Sequence, residues 1–118
     1  MKRDNTLFLK DIVKACEYIQ QFVEGLTFEE FLKDEKTSSA VIRKFEIIGE
    51  AVKNIPELIR NRYPDIMWKD IAGMRDRLIH GYFGIDYLIV WNSIEFDIPK
   101  ILSSVSKILD DLKKIADT

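Results

Sequence analysis

The sequence is poor in the residues that build closed chemical centres. Its 118 residues include one cysteine, Cys16, and one histidine, His80. A lone cysteine cannot close an internal disulfide, which fits a reducing compartment. There is no paired-histidine or Cys-x-x-Cys spacing from which a zinc site is made. The Glu-x-x-His pairs of di-iron bundles are missing too. No metal and no other cofactor is therefore expected. No glycine-rich phosphate loop is present, and no serine has the strand–turn–helix context of a Ser-His-Asp hydrolase. No apolar run reaches the roughly 20 residues of a membrane span. The opening stretch, MKRDNTLFLK, is charged and lacks an apolar signal region with a small-residue cleavage site. A cytoplasmic protein without membrane contact is expected. The three prolines do not cluster, and there is no repeat, low-complexity tract or linker. Residues 1–118 are expected to form a single domain.

What is present is a soluble, amphipathic composition, 47% hydrophobic and 32% charged. The formal net charge is −2. That balance argues against a broad electrostatic footprint for nucleic acid, which usually makes a domain basic. A local site remains open. Between Arg60 and Tyr82, five basic residues (Arg60, Arg62, Lys69, Arg75, Arg77) face three acidic ones (Asp65, Asp70, Asp76).

Apolar residues recur at helical spacing along most of the chain. Phe8, Ile12, Ala15, Ile19, Phe22 and Leu26 mark a helix from about Asn5 to Glu24, stopped by Gly25. Thr27 with Glu30 reads as a capping box opening a short helix. Val41, Phe45, Ile48, Val52 and Ile55 mark a second long helix, with Ser38 or Ser39 as its expected cap. Pro56 suits the first turn of a short helix that Pro64 ends. Another helix should start near Met67 and run to the histidine. The last, capped by Asp86, carries Trp91, Ile94, Ile98, Ile101, Val105, Ile108, Leu112 and Ile115, with Pro99 expected to kink it. Nothing reads as a strand. The expected class is all-α, an up-and-down bundle of four main helices plus short ones. Gly49, in the middle of a helix, costs about 1 kcal/mol against alanine. It marks either a close approach of another helix or a tolerated glycine.

The stretch MRDRLIHGYFG, residues 74–84, is the least ordinary. At about 100° per residue, Trp68, Ile71, Ala72, Met74, Leu78 and Ile79 gather on one side of the helix. Arg75 falls among them, and Arg77 falls opposite, where it is expected to be solvated. A guanidinium among apolar side chains needs partners or a wet cleft. It is either a structural arginine paired with Glu46 or Glu50, or a ligand-binding group. His80 lies five residues on, about 140° around a straight helix. Two arrangements would bring His80 and Arg75 to one site. In one the helix unwinds at His80, with Gly81 as a left-handed terminator. Alternatively, two copies of the chain meet across a two-fold axis. At a helix C-terminus the dipole favours a charged histidine, which suits a proton donor near neutral pH.

RDRLIHGY resembles the R-x4-H-x-Y signature of HEPN-domain proteins, in particular the HepT-like toxins. IIGEAVKNIP, YPDIMWKDIAGMRDRLIHGYFGID and LIVWNSIEFDIPKIL are similar to the same family in the same order, so the resemblance covers nearly the whole chain. It implies a small helical bundle that dimerises and cuts RNA without metal. Arg75 and His80 match the family's catalytic pair. Asp76 matches the polar position beside the arginine, and Tyr82 matches the motif tyrosine. The implied partner is a small MNT-type nucleotidyltransferase antitoxin, which in some members transfers AMP to that tyrosine.

Metal-free cleavage uses the ribose 2′-hydroxyl as nucleophile, so the protein must supply proton transfer and fixed positive charge. His80 would act as acid or base, worth about 10²–10⁴-fold. Arg75 would hold the phosphate as a bidentate fork. One histidine fills one of two proton-transfer roles, and a symmetric dimer would bring a second. The leading expectation is an endoribonuclease toxin. The alternatives are a non-catalytic subunit that binds or regulates a nucleotidyltransferase, and a purely structural helical dimer.

Overall fold

Leu9, Ile12, Ala15, Cys16 and Ile19 lie on one side of the first helix and are almost wholly removed from solvent. A computed structural model describes residues 5–79 and 84–116. It places this helix, α1, at Asn5–Phe22. There follow α2 (Phe28–Lys33), α3 (Glu35–Lys53), α4 (Glu57–Arg62), α5 (Trp68–Ala72) and α6 (Met74–Leu78). Helix α7 (Tyr87–Asn92), a π-helical turn (Ser93–Asp97) and α8 (Ile98–Ala116) then run on without interruption. Among the described residues there is no strand, and the all-α bundle read from the sequence is what forms. Its longest dimension is 49 Å, about the length that thirty helical residues reach at 1.5 Å each.

The core sits where α1 packs against α3 and α8. Phe45, Ile48, Val41 and Val52 from α3 and Ile98, Val105 and Ile108 from α8 are all fully buried. Each such side chain contributes on the order of 1.5–3 kcal/mol relative to exposure. Cys16 lies inside this core as a free thiol. Burial, with a smaller effect from Glu17, pushes its pKa up to about 12, so it stays an unreactive thiol.

Helix ends follow the local chemistry, with one correction. Thr27 and Glu30 form the capping box, each side chain bonding the other's backbone N–H at 3.1 and 3.0 Å. Asp86 caps α7 by accepting from the Ile89 N–H. Helix α3, however, starts at Glu35 and is capped by Asp34, not by Ser38 or Ser39. The Asp34 carboxylate accepts from both the N–H and the hydroxyl of Thr37. Ser38 lies one turn inside the helix, buried, with its hydroxyl on the Glu35 carbonyl. Asp34 outcompetes the serines because it serves both neighbours at once, closing α2 through its own N–H to Phe31.

Pro99 disturbs the last helix, but as a π turn. A proline ring collides with the carbonyl four residues earlier, here Glu95. That residue falls within the wider π turn of Ser93–Asp97, which gives the ring room. The fourth main limb is also divided. The expected single helix from Met67 is two short helices with Gly73 between them, its N–H returning to the Lys69 carbonyl. The limb is anchored from outside. Trp68 donates its indole N–H to the Tyr63 carbonyl, and the Tyr63 hydroxyl donates to Asp111 on α8. Burial and that hydrogen bond raise the Tyr63 pKa.

The Thr37 hydroxyl, then its N–H, holds the Asp34 carboxyl below its ordinary pKa. A depressed carboxyl stabilises the fold above its unfolded pKa and loses that effect as pH falls through the folded one. Asp34→Ala is expected to lower Tm by a few degrees at neutral pH, with the difference shrinking in acid. Ser39→Ala, at an exposed position, is expected to leave it unchanged. Thermal melts followed by circular dichroism check both.

Candidate RNA-cleavage site

Helix α6 is a single five-residue turn, and its sequence explains which way it faces. Met74 and Leu78, four apart, are buried and seat it on the core. Arg75 does not follow them. Its side chain is 46% exposed, although the helical wheel put it within the apolar stripe. The reason is the break at Gly73. With α5 and α6 no longer one continuous helix, the stripe drawn from Trp68 does not extend to Arg75, which emerges at the edge facing α3.

There it meets two carboxylates. Arg75 Nε lies 3.7 Å from Glu46 Oε2 on α3, and Nη1 lies 3.6 Å from Asp76 Oδ1. Both distances are ion pairs and too long for hydrogen bonds. Among the described residues no hydrogen bond fixes the guanidinium, so its donors remain available to a ligand. Glu46 was one of two partners the sequence offered. The other, Glu50, pairs instead with Lys53 at 3.6 Å.

The neighbouring cations are used differently. Arg60 donates from Nη2 to the Val52 carbonyl at 2.6 Å and from Nε to the Ile55 carbonyl at 3.1 Å. It closes the C-terminal end of α3. Arg77, expected to be merely solvated, donates to the Asp70 carbonyl at 3.1 Å. The local excess of basic residues is thus partly structural, and Arg75 is the member held by side-chain charges alone. A groove of about 320 Å³ lies between the α5–α6 limb and α8, lined by Met67, Met74, Arg77, Lys100 and Ile101 among others. Arg75 does not line it.

The motif's remaining candidates, His80 and Tyr82, lie outside the described residues, as does Gly81. What the structure describes is the pair of stems that carry them. Helix α6 ends at Leu78, and Ile79 is already extended, with φ −121° and ψ 113°. Ile79 forms an antiparallel bridge with Ile85, and the Asp86 N–H donates to the Leu78 carbonyl at 3.0 Å. Gly84, at φ +104°, takes a conformation that other residues rarely adopt. The exit stem is then fixed by aromatic packing. Phe31 of α2 lies 6.3 Å from the Tyr87 ring and 5.2 Å from Trp91. The clamp at 78–79 and 85–86 was missed from the sequence. Its only signal was Gly84 followed, two residues on, by a helix cap.

Residues 12–108 match a family model described as ribonuclease HepT-like. The chain is 48% identical to a protein of Methanocaldococcus jannaschii provisionally named as an RNase, covering 96% of this chain and 97% of that one. It is 46% identical to a protein of Thermococcus cleftensis provisionally named ribonuclease HepT, over 92% of this chain and 98% of its relative. No solved structure matches it significantly.

If Arg75 were a structural arginine, its removal would unfold the limb. Exposed ion pairs are worth about 0–1 kcal/mol. Arg75→Ala is therefore expected to change unfolding free energy by less than about 1 kcal/mol and to leave the helical spectrum intact. Urea denaturation checks it.

Proposed function

The chain belongs to the ribonuclease HepT-like family, and on that premise we propose that it is a metal-independent endoribonuclease toxin acting by 2′-hydroxyl attack. One observation carries this reading. The Arg75 guanidinium is half exposed, is held among the described residues by ion pairs alone, and stands one turn before the Ile79–Ile85 bridge, between whose partners His80 and Tyr82 fall in the sequence. A planar fork with free donors matches a phosphodiester in both shape and charge. As negative charge builds on the phosphorane, a guanidinium already beside it stabilises that charge. His80 moves a proton, and Asp76 supports the arginine from the adjacent position.

The active unit in this reading is a homodimer that apposes the two Arg75–Tyr82 segments across its axis, so that a second arginine and histidine reach the same cleft. The cognate partner is an MNT-type nucleotidyltransferase antitoxin. Transfer of AMP to Tyr82 would place phosphate charge beside Arg75, pair with it, and occupy the position of the RNA phosphate.

Arg75→Ala and His80→Ala are each expected to lower cleavage of an RNA oligonucleotide by at least about 10²-fold. Both variants should elute from a sizing column as the parent dimer, and EDTA should change nothing. A variant that cuts like the parent would remove that residue from the reaction. Co-expression with the cognate nucleotidyltransferase is expected to add AMP to Tyr82 and silence cleavage, and Tyr82→Phe should abolish the mark. Intact-protein mass spectrometry reads it directly. An unmodified chain in a silenced complex would mean that the partner inhibits by binding alone.

A further inference from the structure

Cleavage by a ribose 2′-hydroxyl needs one group to take the hydroxyl proton and another to give a proton to the departing 5′ oxygen. The chain has a single histidine, and dimerisation is one way to supply a second proton carrier. A nearer one stands on α3. We propose that Glu46 is the general base that takes the 2′-hydroxyl proton, within the same protomer as Arg75. This rests on the ribonuclease reading above but not on the dimer.

Three observations point to it. The first is position. Glu46 Oε2 is 3.7 Å from Arg75 Nε. A phosphate gripped by that guanidinium carries its 2′-hydroxyl only a few bonds from phosphorus, within reach of a carboxylate on the same edge. The second is availability. The Glu46 side chain is one-third exposed, and its contact with Arg75 is too long to be a hydrogen bond. Among the described residues no hydrogen bond occupies its oxygens. The third is rigidity. Glu46 projects from the middle of a 19-residue helix, between Phe45 and Ile48, both fully buried. Asp76, the other carboxylate beside Arg75, is 84% exposed on a five-residue helix. Its backbone is less firmly held, and it faces water.

The pairing also has the right sense for catalysis. In the resting site Glu46 partly neutralises Arg75. The 2′ O–H proton passes to a Glu46 carboxylate oxygen, the 2′ oxygen bonds phosphorus, and the P–O5′ bond breaks. The 5′ oxygen leaves with a proton from the acid assigned above. The products are a 2′,3′-cyclic phosphate and a 5′-hydroxyl, and the carboxyl returns its proton to water. Protonation releases the arginine from its ion pair as charge builds on the phosphorane, so the guanidinium binds the transition state more strongly than the ground state.

The test is the pH–rate profile of RNA oligonucleotide cleavage by the full chain and three variants. Wild type should show a rate that rises with pH on the acidic side, as a base sheds its proton. Glu46→Gln, which keeps size and shape, should lower kcat by about 10²–10³-fold, leave KM and Tm near the parent values, and lose that rise. Glu46→Asp should keep the rise at a reduced rate. Glu50→Gln, which removes a carboxylate one turn along the same helix that pairs with Lys53, should keep both the rise and the rate. A Glu46→Gln protein that cuts at the parent rate, or slowly with the acidic rise intact, overturns the assignment. The latter would leave Glu46 as a residue that only positions Arg75. A wild-type protein that cuts no RNA overturns the ribonuclease reading, and this assignment with it.

Discussion

The site depends on the packing of α5 and α6 against α3, which meets α5 at Gly49. A methyl group placed there would lie 3.6 Å from the Ala72 carbonyl oxygen, an ordinary van der Waals contact. Glu46 precedes Gly49 by three residues, and Arg75 follows Ala72 by three. The two segments therefore run antiparallel at this crossing, with Gly49 over Ala72 and Glu46 beside Arg75. Glu46 and Gly49, three apart on α3, share its face, and that face meets Ala72 and Arg75 on either side of the Gly73 break. Gly49 does meet another helix of the same chain, but with room for a methyl group, so of the two meanings the sequence allowed the tolerated glycine is the one that the packing fits.

From that crossing the rest of the site is propagated by anchors outside it. Trp68 and Tyr63 fix the start of the limb, Met74 and Leu78 seat its end, and the Ile79–Ile85 bridge ties that end to the residues before α7. Asp86 acts twice. Its backbone N–H fastens the exit of the loop to Leu78, and its carboxylate starts α7.

Much of this was legible in the residues, because the period of an apolar stripe is a property of the helix itself. The seams of α1, α3 and α8 could be read from spacing, and so could the Thr27–Glu30 box and the Asp86 cap. Where several residues competed for one role, spacing could not decide. Asp34, Ser38 and Ser39 all suit a cap, and the choice turned on Asp34 also closing the preceding helix. The exposure of Arg75 was hidden for a related reason. A glycine inside a helical pattern is ambiguous between a break and a tolerated residue, and Gly73 was a break. The wheel drawn across it gave the wrong depth, while of the two partners offered, Glu46 and Glu50, the first is the one found. His80 and Tyr82 were legible only as part of a motif, since a lone histidine or tyrosine near a helix end has no periodic signature.

The sealed thiol in the core has a practical consequence. Cys16 is fully buried, and its ionisation is pushed far above neutrality. It is also the chain's sole cysteine. In the folded state a maleimide or a disulfide-forming reagent finds nothing to attack. The protein is thus already a blank background for single-site labelling. A cysteine placed on any exposed helix face can carry a fluorophore or spin label by itself, with the native core left untouched.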